Sequence, residues 1–270
     1  MEYLTLLLFS LVLYMIPGFI LFFNKTSKGN YLNFTLAIGL ITHGSLIYIT
    51  TIANGINLNF SNSLLIVSWV TVFFYYLINR KIQFNGLENL TLIPAILIIL
   101  IHPLLKNDHH IEIQMSAYSI IHIIIAILSY SLLTVGAIFS IFILLFEKNL
   151  TNKDKAEQSF NSNFSLLSME DILFKIYWFG FILLSITLFS GILFSNEIFS
   201  SSNLLDPQKI WNHKTIFSFM AWVTYGTMLV GRVKYGWRGK KAVVISLVAF
   251  IFLLLSYFGT KFVIEILLKQ

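Results

Sequence analysis

Imidazole is the side chain in this sequence with the most ligand chemistry to offer, and it occurs at six positions. His122 stands about one and a half turns into a long apolar run, His213 opens another, and His43 lies near the middle of a third. A neutral imidazole in lipid still carries a donor and an acceptor, so it is either bonded to a neighbouring helix or part of a site. His122 and His213 are expected at similar depth near the same surface. Two imidazoles facing each other across an aromatic slot are the arrangement that holds a six-coordinate heme iron. This makes His122 and His213 the candidate metal ligands, with His43 as a deeper contact. Trp211 and Trp222 flank His213 and complete the candidate cofactor-binding set, and Tyr118, Tyr130, Trp178 and Tyr225 add aromatic surface. The same rings also suit the interfacial belt of any membrane protein, which is the simpler reading for Trp211 and Trp237. His102, just before Pro103, reads equally as an interface anchor or a site residue. His109 and His110 read as a solvated loop pair.

Other chemistries are poorly supplied. Cysteine is absent, which excludes disulfides, thiolate metal sites and a thiolate heme ligand. No carboxylate pair, nucleophile–base pair or metal-ligand trio converges at a plausible depth, so an enzyme is not expected. Lys261 and Glu265 read as a terminal i, i+4 salt bridge.

The elements that must position these residues are membrane spans. Hydrophobic residues make up 57% of the chain and charged ones 11%, against about a quarter charged in a soluble domain. Mean hydropathy is +0.81. Eight apolar runs approach the length of about 20 residues that a bilayer requires: roughly 3–23, 32–53, 63–79, 90–105, 117–146, 172–195, 213–231 and 242–267. The third and fourth are short for the purpose. None shows the period-two alternation of a barrel, so the predicted fold is all-α, a single transmembrane domain over residues 1–270. The first run has no basic n-region and no small-residue cleavage site, and reads as an uncleaved helix. Pro17 and Pro94 are expected to kink their helices. Glycines inside the runs, such as Gly136, Gly180 and Gly191, suit close helix packing.

The cations sort by loop. Thirteen of the 18, among them Arg232, Lys234, Arg238, Lys240 and Lys241, fall in one alternate set of loops and five in the other. The positive-inside rule then places both termini outside the cytoplasm. The net charge of +6 belongs to these loops and implies topology and a lipid bilayer as partner, with no nucleic acid.

Four segments resemble the cytochrome c assembly protein family, the heme-handling membrane proteins of the CcsA/CcmC type, and within it the YpjD/HemX-like branch. They are His122 to Tyr130; Ser168-Met169-Glu170-Asp171 with Gly191; Trp211 to Trp222; and Gly236-Trp237-Arg238-Gly239-Lys240-Lys241 followed by Tyr257-Phe258-Gly259. The resemblance covers about residues 116–262, with the earlier helices similar in layout. It implies a multi-pass protein of the bacterial inner membrane that presents heme on the outer side for cytochrome c maturation, with apocytochrome c or other biogenesis proteins as partners. His122 matches the family's first outer histidine and His43 the histidine of an early span.

Departures from the pattern are specific. Of the family's outer tryptophan-rich motif only Trp211 remains, Asn212 stands in place of its aspartate, and His213 replaces a proline. Two further family histidines fall on Val230 and Leu268. His213 is therefore read as a replacement partner for His122. Two other readings stand beside this one: an accessory or regulatory protein of tetrapyrrole or cytochrome biogenesis that ligates no heme, and a small-molecule transporter. For the transporter, neither a discontinuous helix nor repeated halves is visible.

Overall fold

The computed structural model describes residues 2–23, 30–53, 57–81, 87–105, 117–150, 166–193, 213–259 and 262. Within them lie eight helices long and apolar enough to cross a membrane: α1 (Glu2–Phe23), α2 (Asn30–Ile47), α3 (Phe60–Lys81), α4 (Leu87–Ile101), α5 (Ala117–Leu150), α6 (Leu166–Leu193), α7 (His213–Tyr235) and α8 (Gly239–Leu254). A π turn, Tyr48–Ile52, prolongs α2, and a second, Leu255–Gly259, prolongs α8. A 3-10 turn, His102–Leu104, closes α4. The two runs that looked short gain turns at their ends: α3 has 22 residues, and α4 with its 3-10 turn reaches 18. Helical structure continues through Pro17 and Pro94. The sixth helix begins six residues before its apolar run, because Glu170 and Asp171 in its first turns have partners on α7 and α8.

The chain divides into two compact units, residues 1–113 with 268–270, and residues 114–267. In the first, α1 packs on α2 and α4, and α3 on α2 and α4, closing a four-helix ring. In the second, α5 packs on α6 and α8, and α7 on α6 and α8, closing another. In each ring serine hydroxyls are buried among an apolar core: Ser10, Ser129, Ser140, Ser246 and Ser256 are fully buried beside residues such as Leu36, Leu65, Leu133 and Ile143, while Phe9, Phe19, Phe34, Phe179 and Phe189 are exposed. A hydroxyl facing hydrocarbon has no water to bond, so a place inside the ring suits it. Many buried hydroxyls bond the carbonyl one turn back, as Ser10 does to Leu6 at 2.7 Å and Ser131 to Ile127 at 2.7 Å.

At one end of the second ring, two motifs far apart in sequence form a single clamp. Arg232, near the end of α7, donates to Asp171 at 2.8 Å and stands 3.9 Å from the Glu170 carboxylate. Its guanidinium also lies 4.5 Å above the Phe174 ring. Glu170 Oε1 accepts the Gly239 N–H at 2.9 Å, which satisfies a backbone donor at the start of α8. The turn between α7 and α8 has Gly236 at φ 63° and Gly239 at φ 59°, the left-handed region that a side chain disfavours. Trp237 N–H returns to the Gly231 carbonyl at 3.1 Å, which folds the turn back onto the end of α7.

Candidate functional site

The antiparallel pair α5–α6 decides where His122 goes. Gly136 on α5 admits the Tyr177 ring, since a Cβ there would lie 2.6 Å from Tyr177 Cε1. Gly180 on α6 admits Leu133 in return, with a Cβ position 2.6 Å from Leu133 Cδ2. Ser129 Oγ, donating to the Gly180 carbonyl at 3.3 Å, ties the same register. About three turns further along, that register lays His122 against the last turns of α6. There His122 Nδ1 is 2.8 Å from Ser190 Oγ. Gly191 leaves room for the ring, its Cβ position lying 3.3 Å from His122 Cε1.

The Ser190 hydroxyl donates to the Thr187 carbonyl at 3.0 Å. Both bonds are made together when the Ser190 proton goes to the Thr187 carbonyl and Oγ accepts from His122 Nδ1–H, the tautomer that puts the lone pair on Nε2. A histidine ligand takes this form: one ring nitrogen donates to an outer partner and the other faces the metal.

His213 is the first residue of α7 and is exposed. The Trp222–Ser185 and His122–Ser190 bonds set α7 and α5 against α6 so that the start of α7 and His122 lie toward the same end of the ring. Lys214 Nζ is 5.3 Å from the centroid of Tyr257. Tyr257 in turn lies edge-on to Tyr130 at 6.0 Å, and the Tyr130 hydroxyl is bonded to Ser256. Trp222 is built into the α6–α7 contact. Its Nε1 donates to Ser185 Oγ at 2.8 Å, and its ring stacks with Phe181 and Phe219 at 5.6 and 5.9 Å. Ser185 precedes Ser190 on α6 by enough to set this indole about 7 Å deeper than His122. Trp211, His109, His110, Lys261, Glu265 and Leu268 lie outside the described residues.

In the other ring, His43 is fully buried. Tyr14 OH lies 3.3 Å from its Nδ1, and Nε2 has no hydrogen-bond partner among the described residues. An apolar groove of about 770 Å³ between α2 and α3 is walled by Gly44, Tyr48, Trp69, Phe73 and Tyr76, but His43 does not line it. His102 resolves into a structural residue. It is buried, its Nδ1 is 2.8 Å from Tyr3 OH, and its Nε2 is 3.0 Å from Asn62 Oδ1. Asn62 spends its amide on the Thr50 and Asn57 carbonyls at 3.0 and 2.9 Å. One imidazole thus joins α1, α3 and the end of α4, and Asn62 extends the network to the π turn after α2. Sequence reading passed over Asn62 and Ser190, because a single Asn or Ser carries no periodic or compositional signal.

Among the described residues no three His, Cys, Asp or Glu side chains gather as a metal site. Heme iron makes a smaller demand, since the porphyrin supplies four ligands and the protein only axial ones. His122, with its Nε2 lone pair, fits that demand.

Eight membrane-length helices in two four-helix rings define a multi-pass membrane protein. The family model described as "Cytochrome C assembly protein" matches residues 31–268. The chain belongs to that family, and the match reaches back into the early helices, which had looked similar only in layout. The "Inner membrane protein YpjD" of Escherichia coli K12 is 27% identical over 164 residues, 60% of this chain and 58% of that protein. The chain therefore aligns with under two thirds of that relative's length. The "Cytochrome c biogenesis protein CcsA" of Prochlorococcus marinus strain MIT 9301 is 22% identical over 228 residues, 76% of this chain and 72% of that protein. CcsA of Chlamydomonas reinhardtii is 28% identical over 150 residues, 56% and 39% of the two chains. With its eight apolar helices, the chain is a multi-pass inner-membrane protein.

Proposed function

We propose that this protein takes part in cytochrome c assembly by holding heme at the end of the α5–α8 ring where His122 lies, the end that the distribution of cations assigns to the outside. One observation carries the reading. His122 Nδ1 is engaged by Ser190 beside Gly191, and the tautomer that keeps both Ser190 bonds leaves the Nε2 lone pair for a ligand. Heme supplies an iron with two axial positions. His122 fills one, and His213, exposed at the start of α7, is the proposed second. Trp222 and, from the sequence alone, Trp211 are the proposed aromatic surround, and His43, fully buried in the first unit, is a candidate contact of that unit by itself. The relatives named for cytochrome c biogenesis support the choice of cargo.

The test is an absorption spectrum of the detergent-purified protein after heme loading. The expected wild-type spectrum is low-spin with a bis-imidazole Soret and α band. His122→Ala should lose it, and His213→Ala should convert it to a five-coordinate form. An unchanged low-spin pattern in His122→Ala overturns the assignment.

A second reading has its own support: His122 and His102 both join helices by hydrogen bonds. On that reading the protein is an accessory of cytochrome or tetrapyrrole biogenesis and its histidines are structural. His122→Ala would then lower the melting temperature, and no heme would be retained by either protein.

A further inference from the structure

The turn between α7 and α8 and the helix ends beside it carry five cations, most of them in no salt bridge among the described residues. Of these, Arg232 belongs to the clamp with Glu170 and Asp171. Lys234, Arg238, Lys240 and Lys241 are exposed, and among the described residues no carboxylate forms a salt bridge with any of them. Only three residues, 236–238, separate the two spans, so the cations cannot leave the membrane surface. Apolar side chains confirm that depth: Val233 is 70% and Tyr235 73% exposed on the last turns of α7, positions that suit lipid. The turn is also held by specific contacts. Two left-handed glycines shape it, Trp237 packs into the space above Gly231, and Tyr235 stacks on Trp237 at 6.1 Å. Lys241 Nζ lies 3.9 Å from the Trp237 ring, which fixes one ammonium in place.

We infer that this turn is a binding site for an anionic phospholipid headgroup, with Arg238, Lys240 and Lys241 on the phosphate and Lys234 beside them. Clustered cations at the end of a span attract anionic lipid by charge. Lys241, already placed over the Trp237 ring, adds to this, because it needs less ordering on binding. The acyl chains of such a lipid would lie against the apolar flank formed by Val233 and Tyr235. A free phosphate would gain nothing from that flank.

Native mass spectrometry of the whole protein in detergent, titrated with phosphatidylglycerol and with phosphatidylcholine of the same chains, tests the proposal. Phosphatidylglycerol should bind preferentially, and added salt should weaken it. The triple variant R238Q/K240Q/K241Q should lower its affinity about a hundredfold, on the scale of about fivefold per surface cation. Because Lys241 also contacts Trp237, the double variant K234Q/K240Q serves as a milder version with the clamp and stack intact, expected to fall about 25-fold. Lys214→Gln, at the other end of α7, should leave the preference unchanged. Equal binding of the two lipids, or a preference kept by both turn variants, overturns the site. Inorganic phosphate competing as well as phosphatidylglycerol overturns the lipid as its ligand.

Discussion

Ser190→Ala removes the acceptor of His122 Nδ1–H and leaves the ring free to turn and to change tautomer. Outer partners of this kind typically contribute about 10–100-fold to metal affinity, so heme retention should fall at least about tenfold while the fold persists. Ser190→Thr, which keeps the hydroxyl, should restore it. Heme titration followed by the Soret band measures both, and equal affinities in wild type and Ser190→Ala would deny Ser190 this role. The buried network around Asn62 makes a different prediction, on stability. Asn62→Ala strips a partner from His102 and from two carbonyls at once, whereas Tyr3→Phe takes from His102 the bond at Nδ1. Interhelical hydrogen bonds in membranes are each worth about 0.6 kcal/mol on average. Thermal melts in detergent should therefore rank Asn62→Ala well below Tyr3→Phe, with Tyr3→Phe close to wild type.

Between helices, the glycines of α5 and α6 are not equivalent. An added methyl at Gly180 meets the end of a flexible leucine, while at Gly136 it meets a rigid tyrosine ring. Tyr177 cannot retreat easily, because its hydroxyl is bonded to Ser140 and Ser246 at 2.8 and 3.0 Å. Overpacking typically costs about 1–3 kcal/mol. Gly136→Ala is expected toward the upper end of that range and Gly180→Ala toward the lower, read as melting temperatures. Gly136→Ala should also weaken heme retention, since it disturbs the register that brings His122 to Ser190. The helices themselves were legible in the sequence, because apolar runs of sufficient length can do little else in lipid. Their ends were less so. The start of α6 lay in a polar stretch, and only the meeting of Glu170 and Asp171 with Arg232 and Gly239 explains why helix begins there.

For the molecule as a whole, topology remains a prediction of charge, and the absence of cysteine makes it simple to test. Single cysteines placed at Lys234 or Arg238 should react with a membrane-impermeant maleimide only after the inner face is opened, and one at Leu104, which is 84% exposed, should react in intact cells. The reverse pattern would invert the orientation and move the proposed heme end to the cytoplasm.

Composition and periodicity alone determined the all-helical, eight-span architecture, since hydrocarbon leaves backbone groups so few ways to be satisfied. They also singled out His122, whose polarity is conspicuous in an apolar run. Tertiary structure decided the rest. His102 and His122 both stand near the ends of apolar runs, yet one has both nitrogens engaged by Tyr3 and Asn62, and the other has Nδ1 engaged by Ser190, which leaves Nε2 to a ligand in the tautomer that keeps both Ser190 bonds. Two sequence motifs likewise became one clamp only when α6, α7 and α8 met. A hydrogen-bond partner on another helix is set by packing register, and no local pattern in the chain encodes it.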